Sequence, residues 1–337
     1  MLDLVKIQQH YRLGELHFVN HLSNGLIHQT YVIHNSREKF ILQFFNQNIF
    51  ENEKIIANNY WKVIEHLKHQ QKYHYEKLIF IKNNQRNLFS RYDDQIFRIA
   101  AYIEHDPALD MLNGDACEQF GRCLGEFHTA LNSDCLFLDE PIDNFLNFDL
   151  RVFNFRKSLQ HGNINRIEEN QELLQWFIQE AEVIQDWKLH LQQYSRRVIH
   201  GDPKSSNFLF ENNKVKALID WDTIMPGYIQ YDIGDLLRSC VSSNKENSSG
   251  VEFNSENFES VIRGYKSTQI YNTLSTYEKE NLAFSALPVI YVQALRFFTD
   301  YLMNDRYYTI SYPEENIDKS KNQLELYNQV KAFLKDR

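Results

Sequence analysis

The chain has 337 residues, and 43% of them are apolar, enough for more than one hydrophobic core. Its formal net charge of −9 argues against binding to nucleic acid or to an anionic membrane, because both require basic patches. The sequence shows no signal-peptide pattern, no apolar run of about 18 residues and no Cys-x-x-Cys spacing. We therefore expect a soluble, cytoplasmic protein with two lobes, reduced cysteines in its core, and no nucleic-acid or membrane partner.

The N-terminal part has the pattern of a small sheet with one helix. Residues 16–45 alternate apolar and polar side chains between turn signals, which predicts three antiparallel strands. Residues 52–70 place apolar side chains on one helical face, and strand-like segments (KLIF, LFSRY and IFRIAAYI) follow between residues 77 and 103. We expect the first lobe to comprise residues 1–103.

The remaining residues, 104–337, are predicted to be mainly helical. Apolar residues recur at three- and four-residue spacing in residues 117–131, 172–187 and 287–302, and another such segment closes the chain. The sequence therefore predicts an α+β fold with a small antiparallel-sheet lobe and a larger helical lobe. A cleft between two lobes is a usual place for a ligand.

A polar loop stands out within the helical part. The segment VIHGDPKSSNFLF (residues 198–210) predicts two short buried strands joined by a loop. A turn at residues 211–214 then predicts a hairpin that brings Asp220 close to Asn207. Carboxylate and amide oxygens suit Mg²⁺, which commonly completes its shell with phosphates. Asp202 is then free to accept a proton from a hydroxyl, so the segment has the parts of a phosphoryl-transfer site.

The order His200-x-Asp202-x-Lys204-x-x-Asn207 also matches the catalytic loop of protein kinases. Here the chain resembles the aminoglycoside phosphotransferase and choline kinase superfamily, whose loop is H-G-D-x-x-x-x-N. Three further segments resemble its N-acetylhexosamine 1-kinase branch; they cover residues 40–67, 220–238 and 295–308. The resemblance implies a protein-kinase-like two-lobe fold, ATP and Mg²⁺ as cofactors, and a small hydroxylated molecule, most simply a hexosamine phosphorylated at its anomeric hydroxyl.

The resemblance also implies roles for individual residues. Asp202 would be the catalytic base, and Lys204 would lie near the γ-phosphate. The implied Mg²⁺ ligands are Asn207 and Asp220, with Asp222 supporting them. The implied acceptor contacts are Thr223, Arg296 and Tyr307. The implied nucleotide contacts are Gly25, Gln43, Tyr102 and Glu104, the last two forming the hinge that meets the adenine.

Two features depart from the common pattern. Gln43 occupies the place where kinases commonly have a lysine that holds the α- and β-phosphates. Gly25 is the single glycine of the turn LSNGLIHQTYV, and Leu26 and His28 stand where members of the branch often have histidine and asparagine. The identity of the acceptor is therefore open.

Other interpretations stay open at this point. The same transfer onto choline, an aminoglycoside or another alcohol would fit the acidic charge balance. A nucleotide-binding pseudokinase with a regulatory role would fit Gln43 and the glycine-poor turn. Locally, Arg296 could pair with Asp300 one helical turn on. Asp232 and Asp235 could cap and brace a helix start.

Overall fold

The computed structural model describes residues 4–22, 28–46, 52–107, 109, 111–242, 247–248 and 250–336. In the N-terminal lobe a short helix precedes an antiparallel five-stranded sheet of order β1-β2-β3-β5-β4. The elements are α1 (Leu4–Gln8), β1 (His17–Leu22), β2 (Gln29–His34), β3 (Lys39–Phe44), α2 (Glu53–Lys68), β4 (Ser90–Tyr92) and β5 (Gln95–Ala101). The three strands predicted for residues 16–45 and the helix after them are confirmed.

The predicted strand KLIF (77–80) does not form a regular strand. It runs beside β5 and makes only scattered backbone hydrogen bonds, such as the one from Ala101 N to the carbonyl of Ile79, 2.8 Å. The predicted segments LFSRY and IFRIAAYI do form strands, as β4 and β5.

The C-terminal lobe is mainly helical, as predicted. Its helices are α3 (Gly114–Leu131), α4 (Phe148–His161), α5 (Ile164–Glu169), α6 (Gln171–Gln179), α7 (Glu182–Leu191), α8 (Ile229–Cys240), α9 (Ser255–Lys266), α10 (Gln269–Asn272), α11 (Thr276–Glu280), α12 (Ala286–Leu302) and α13 (Glu315–Lys335). Four short strands lie between α7 and α8, and they pair as two antiparallel ribbons, β6 with β9 and β7 with β8. They are β6 (Arg197–Ile199), β7 (Phe208–Glu211), β8 (Lys214–Leu218) and β9 (Met225–Gly227).

Helix α2 belongs to the sheet lobe in sequence but packs with the helical lobe. Its buried face, which carries Tyr60 and Val63, is part of the large apolar cluster that fills the C-terminal lobe. The ring of Tyr60 lies 6.4 Å from that of Trp221, just after β8. The two lobes thus share one core through α2, and the boundary at residue 103 stays a prediction.

Helices α3 and α9 cross with their backbones in contact. A Cβ atom on Gly121 would lie 2.1 Å from the carbonyl oxygen of Val261, and one on Gly264 would lie 1.9 Å from that of Glu118. Such distances are far inside van der Waals contact, so both glycines are required for this close approach.

The cysteines and the apolar character of the helices were both subjects of expectations from the sequence. Three cysteines are buried and free, as expected, whereas Cys135 is exposed, so its assignment to the core is wrong. None of the helices in the described ranges has both the length and the apolar character needed to cross a membrane.

Candidate active site

The polar loop is positioned by a buried carboxylate from α8. Asp232 accepts hydrogen bonds from the backbone N–H groups of His200, 2.7 Å, and Gly201, 2.9 Å. Its carboxylate also lies 2.9 Å from Nε2 of the fully buried His128 on α3. Asp232 therefore holds the loop that follows β6, and the expectation that it caps its own helix is wrong.

A glycine is required at the second position of this loop. Gly201 has φ +89°, in the left-handed region that favours glycine. A Cβ atom there would lie 2.5 Å from the carbonyl oxygen of Thr223. The Thr223 hydroxyl in turn donates to the carbonyl of His200, 2.9 Å. Thr223, a predicted acceptor contact, is thus buried against the loop, and its hydroxyl proton is engaged in the hydrogen bond to His200.

Both ring nitrogens of His200 contact the backbone. Nε2 lies 3.0 Å from the carbonyl of Ile219, and Nδ1 accepts from the N–H of Asp202, 3.3 Å. Since a carbonyl only accepts, Nε2 carries the proton. His200 thereby ties the loop to the end of β8, which agrees with a structural role for this side chain.

The side chains of Asp202 and Lys204 form an ion pair. Lys204 Nζ lies 2.7 Å from Asp202 Oδ2, and both side chains are partly exposed. Although burial opposes it, the charges of Asp202 and Asp220 raise the pKa of Lys204. The lysine is therefore a fixed cation beside the carboxylate predicted to act as base.

The predicted hairpin brings Asn207 and Asp220 together. β7 pairs antiparallel with β8, and the N–H of Ile219 donates to the carbonyl of Asn207, 2.9 Å. The Asn207 side-chain amide donates to the carbonyl of Asp202, 2.8 Å, which leaves its Oδ1 available as an acceptor. Asp220 has φ +67°, a strained conformation for a residue other than glycine and common at functional sites.

The electrostatics of this cluster suit a divalent cation. Burial and the charge of Asp222 raise the pKa of Asp220, and Asp202 adds to the effect, whereas Lys204 opposes it. A cation at the Asn207 and Asp220 oxygens would relieve this repulsion. In the part of the chain that the structure describes, no three His, Cys, Asp or Glu side chains form another candidate metal site.

A buried network that the sequence did not reveal joins the two lobes. Arg98 on β5 is 2% exposed, and it donates to both carboxylate oxygens of Asp222, at 2.6 Å each. Its Nε donates to Gln43, its partner across β3 and β5, 3.0 Å. His28 Nε2 lies 3.1 Å from Asp222. The only sequence signal was one arginine inside the apolar strand IFRIAA.

This network explains the residue at the usual lysine position. Gln43 accepts from Arg98, so it takes part in a contact between the lobes. Although burial opposes it, Arg98 and His28 hold the pKa of Asp222 well below its usual range. Asp222 is therefore an anion fixed by the N-terminal lobe, next to the Asp220 position.

The predicted hinge residues follow β5. The N–H of Tyr102 donates to the carbonyl of Lys39, 3.3 Å, and the exposed Glu104 accepts from Lys39 Nζ, 3.0 Å. Tyr102 and Glu104 thus lie just beyond the C-terminal end of β5, at the start of the segment that leads into the helical part. Gly25, the predicted phosphate-loop glycine, lies outside the described residues.

The other two predicted acceptor residues lie together on the helical side. The guanidinium of Arg296 on α12 lies 5.9 Å from the ring centre of Tyr307, which is 53% exposed. Arg296 donates to Gln293, 3.0 Å. The alternative pairing with Asp300 is wrong, because that carboxylate accepts from the backbone N–H groups of residues 306–308.

The strand that leads into the loop is anchored by an ion pair. Arg197 on β6 lies 2.6 Å from Glu278 on α11, which is 1% exposed. Burial alone would raise the pKa of Glu278, but hydrogen bonds from Arg197 and from two backbone N–H groups hold it below its usual value. The folded-state pKa is thus the lower one, so the pair stabilises the fold above about pH 4.3 and loses this effect as the pH falls.

Replacing Glu278 with glutamine is therefore expected to lower the free energy of unfolding by about 2 kcal/mol near neutral pH. The difference from the unmodified protein should shrink below about pH 4, where Glu278 itself becomes protonated. Urea denaturation near neutral pH and below about pH 4 measures the free energy of unfolding of both proteins. The control is Glu280→Gln, a change at an exposed residue of the same helix. A difference that grows in acid would contradict the assignment.

Comparisons with known proteins identify the family and the fold of the chain. The phosphotransferase enzyme family matches residues 19–265 of the chain. The fold is similar to that of a microcompartment-associated aminopropanol kinase (TM-score 0.68, 13% identity, 99% of this chain and 98% of that one). It is also similar to a spectinomycin phosphotransferase solved with ADP and spectinomycin (TM-score 0.62, 11% identity, 97% of this chain and 97% of that one). A third similar structure is a choline kinase from Cryptosporidium parvum (TM-score 0.56, 13% identity, 99% of this chain and 96% of that one).

At these identities the similarity concerns the fold, and it confirms the predicted two-lobe, protein-kinase-like architecture. The predicted superfamily is confirmed as well, whereas the N-acetylhexosamine branch stays a prediction. The family match covers most of the sheet lobe, the polar loop and the hairpin that precedes Asp220. The chain belongs to the phosphotransferase enzyme family and is a small-molecule kinase.

Proposed function

We propose that the protein transfers the γ-phosphate of ATP, with Mg²⁺, to the anomeric hydroxyl of an (N-acetyl)hexosamine or a related sugar. The main support is one cluster in which Asp202, Lys204 and Asn207 share hydrogen bonds and Asp220 lies within their electrostatic reach. A base, a fixed cation and two oxygen ligands are the groups that phosphoryl transfer requires.

In this mechanism Asp202 orients the acceptor hydroxyl and accepts its proton as the oxygen attacks the γ-phosphorus. One carboxylate oxygen of Asp202 is engaged by Lys204, and the side chain keeps 25% exposure, so it is accessible to an acceptor. The bond from the γ-phosphorus to the bridging oxygen breaks, and ADP leaves with the electron pair. Lys204 stabilises the negative charge of the transferred group. Asn207 and Asp220 would hold Mg²⁺, which neutralises the β- and γ-phosphates.

The nucleotide is proposed to lie between the lobes, with residues 1–103 forming most of its site. Tyr102 and Glu104 would present their backbone to the adenine. The similar spectinomycin phosphotransferase was solved with ADP, which supports a nucleotide as a ligand. Gln43 is engaged by Arg98, and Arg98 is also engaged by Asp222. The phosphates are therefore left to Lys204, the metal and, as predicted from the sequence, Gly25.

The sugar is proposed from the resemblance of residues 220–238 and 295–308 to the hexosamine kinase branch. Choline, an aminoglycoside or another alcohol is the second candidate, because similar structures include a choline kinase and an aminopropanol kinase. A pseudokinase is disfavoured by the assembled Asp202, Asn207 and Asp220. A cytoplasmic location remains part of this proposal.

The test is an acceptor screen with Mg-ATP that follows ADP release and the phosphorylated product. It should include N-acetylhexosamines, hexosamines, choline, amino alcohols and aminoglycosides. We expect turnover with at least one sugar and loss of turnover when Mg²⁺ is chelated. A response only to choline, amino alcohols or aminoglycosides would overturn the sugar proposal. A thermal shift with Mg-ATP but no product from any acceptor would favour the pseudokinase.

A further inference from the structure

The turn after β8 that carries Asp220 is held from both sides. Asp220 has φ +67° and ψ +61°, a left-handed conformation that a residue other than glycine keeps only where its surroundings fix it. At the start of the turn, Nε2 of His200 in the polar loop donates to the carbonyl of Ile219, 3.0 Å. Two residues after Asp220, the N-terminal lobe binds the carboxylate of Asp222. The predicted metal ligand thus lies between one anchor from each lobe.

The anchor from the N-terminal lobe is built on Arg98. Its guanidinium makes two parallel hydrogen bonds of 2.6 Å to Asp222, and such a bidentate pair fixes the orientation of the carboxylate as well as its position. The arginine itself is held by a hydrogen bond of 3.0 Å from its Nε to Gln43. The guanidinium carbon also lies 4.2 Å from the ring centre of Phe80. Arg98 therefore fixes the Asp222 carboxylate relative to β5.

His28, just before β2, adds a second contact to this anchor. Its Nδ1 accepts from the backbone N–H of Asn46, 3.2 Å, so Nε2 carries the proton and donates to Asp222, 3.1 Å. The ring of His28 is stacked on that of Phe45, with the ring centres 5.0 Å apart and the planes inclined by 20°. The carboxylate is thus bound from two places in the N-terminal sheet, the start of β2 and the middle of β5.

The ion pair that commonly links the third strand to the next helix in kinases is replaced here. That pair joins a lysine of the strand to a glutamate of the helix. In this chain Gln43 stands at the strand position and accepts from Arg98, whereas Glu53 of α2 pairs with Arg91 on β4. A lysine at position 43 would place a second cation against Arg98. The buried cation of the N-terminal lobe therefore faces the turn with Asp220 instead of α2.

We propose that Arg98 is a positioning residue for the metal site: through Asp222 it holds Asp220 in the conformation that binds Mg²⁺. This inference rests on the proposed function, in which Asp220 is a ligand of Mg²⁺, and adds to it a residue of the other lobe. Residues that orient metal ligands without touching the metal commonly change the metal affinity by ten- to a hundredfold when they are replaced. Metal binding then depends on the contact between the lobes.

The test is Arg98→Lys, which keeps the positive charge but cannot make the paired hydrogen bonds to Asp222. The Mg²⁺ concentration for half-maximal turnover should rise by at least about tenfold, whereas kcat at saturating Mg²⁺ should change much less, because the bound metal restores the site. Binding of Mn²⁺ in the presence of ADP, followed by the electron paramagnetic resonance signal of the free ion, gives a readout without turnover. The Kd of Mn²⁺ should rise by a similar factor.

Keeping the charge separates geometry from electrostatics. Removing a positive charge near the site would by itself strengthen the binding of a cation. A weaker affinity in Arg98→Lys is therefore an effect of position. The matched control is Arg91→Lys, the same substitution on β4 at a side chain that is 60% exposed, and it should leave the Kd of Mn²⁺ unchanged.

A second variant covers the case in which Arg98→Lys does not fold. His28→Phe keeps a ring for the stacking on Phe45 but removes the donor to Asp222. We expect a smaller rise in the Kd of Mn²⁺, in the same direction. A purely structural role for these contacts would lower the melting temperature and leave the Kd of Mn²⁺ as it is. An unchanged Kd in folded Arg98→Lys, or in His28→Phe if Arg98→Lys does not fold, overturns the inference.

Failure of the kinase proposal gives a different result. The Mn²⁺ measurement needs no acceptor, so it tests Arg98 even if no molecule of the screen is phosphorylated. If the unmodified protein and Arg98→Lys bind Mn²⁺ equally with ADP, the role of Arg98 is overturned and the kinase proposal stands. If the unmodified protein binds no Mn²⁺ with ADP, Asn207 and Asp220 are not metal ligands, and the inference is overturned together with the proposed function.

Discussion

Replacing Asp202 with asparagine is expected to lower kcat by about a hundred- to ten-thousand-fold, the usual contribution of a positioned base. Asparagine keeps the size of the side chain but cannot take the hydroxyl proton, and it loses the charge that pairs with Lys204, 2.7 Å away. Steady-state kinetics with Mg-ATP and the acceptor found in the screen measure the loss. Nucleotide binding, followed by thermal shift with Mg-ATP, should be largely retained.

A matched control is Asp134→Asn, because Asp134 is exposed in the segment after α3. It should leave both turnover and nucleotide binding unchanged. If Asp202→Asn kept its turnover on every accepted substrate, Asp202 would not be the base. The loop would then contain no candidate for that role.

Replacing Arg98 with methionine is expected to lower the free energy of unfolding by about 3–5 kcal/mol, because the buried Asp222 carboxylate loses its arginine partner. Arg98 is 2% exposed, Asp222 is 4% exposed, and the two make paired hydrogen bonds of 2.6 Å. Urea denaturation measures the change. The double variant with Asp222→Asn should recover part of the loss, since no unpaired charge then remains.

The control is Arg91→Met on the neighbouring strand β4. Arg91 pairs with Glu53, but its side chain is 60% exposed, and an exposed pair contributes at most about 1 kcal/mol. Equal losses in the free energy of unfolding for Arg98→Met and Arg91→Met would contradict the assignment of Arg98 as a stabilising contact between the lobes.

The parts of the fold that the sequence predicted are those specified by local patterns. The alternation of residues 16–45 and the helical periodicity of α2 are visible in short windows, and both were confirmed. The hairpin that brings Asn207 and Asp220 together was also predictable, because the turn at residues 211–214 fixes which residues face each other. The strand prediction for KLIF failed because a segment with only three apolar residues does not show whether the chain pairs along its full length.

The parts that could not be predicted depend on contacts between distant residues. Arg98 and Asp222 are 124 positions apart, and nothing near either residue indicates the other. The same holds for Asp232, whose place in the first turn of α8 favoured a capping role although its partners are in the polar loop.

The close crossing of α3 and α9 bears on the position of the polar loop. Tyr265, next to Gly264, binds His128 at 2.9 Å, and His128 binds the carboxylate that fixes the loop backbone. Three hydrogen-bonded side chains therefore connect the α3–α9 crossing, whose spacing the two glycines permit, to the loop that carries Asp202. A larger residue at either glycine would widen the α3–α9 pair and so shift the loop that carries Asp202.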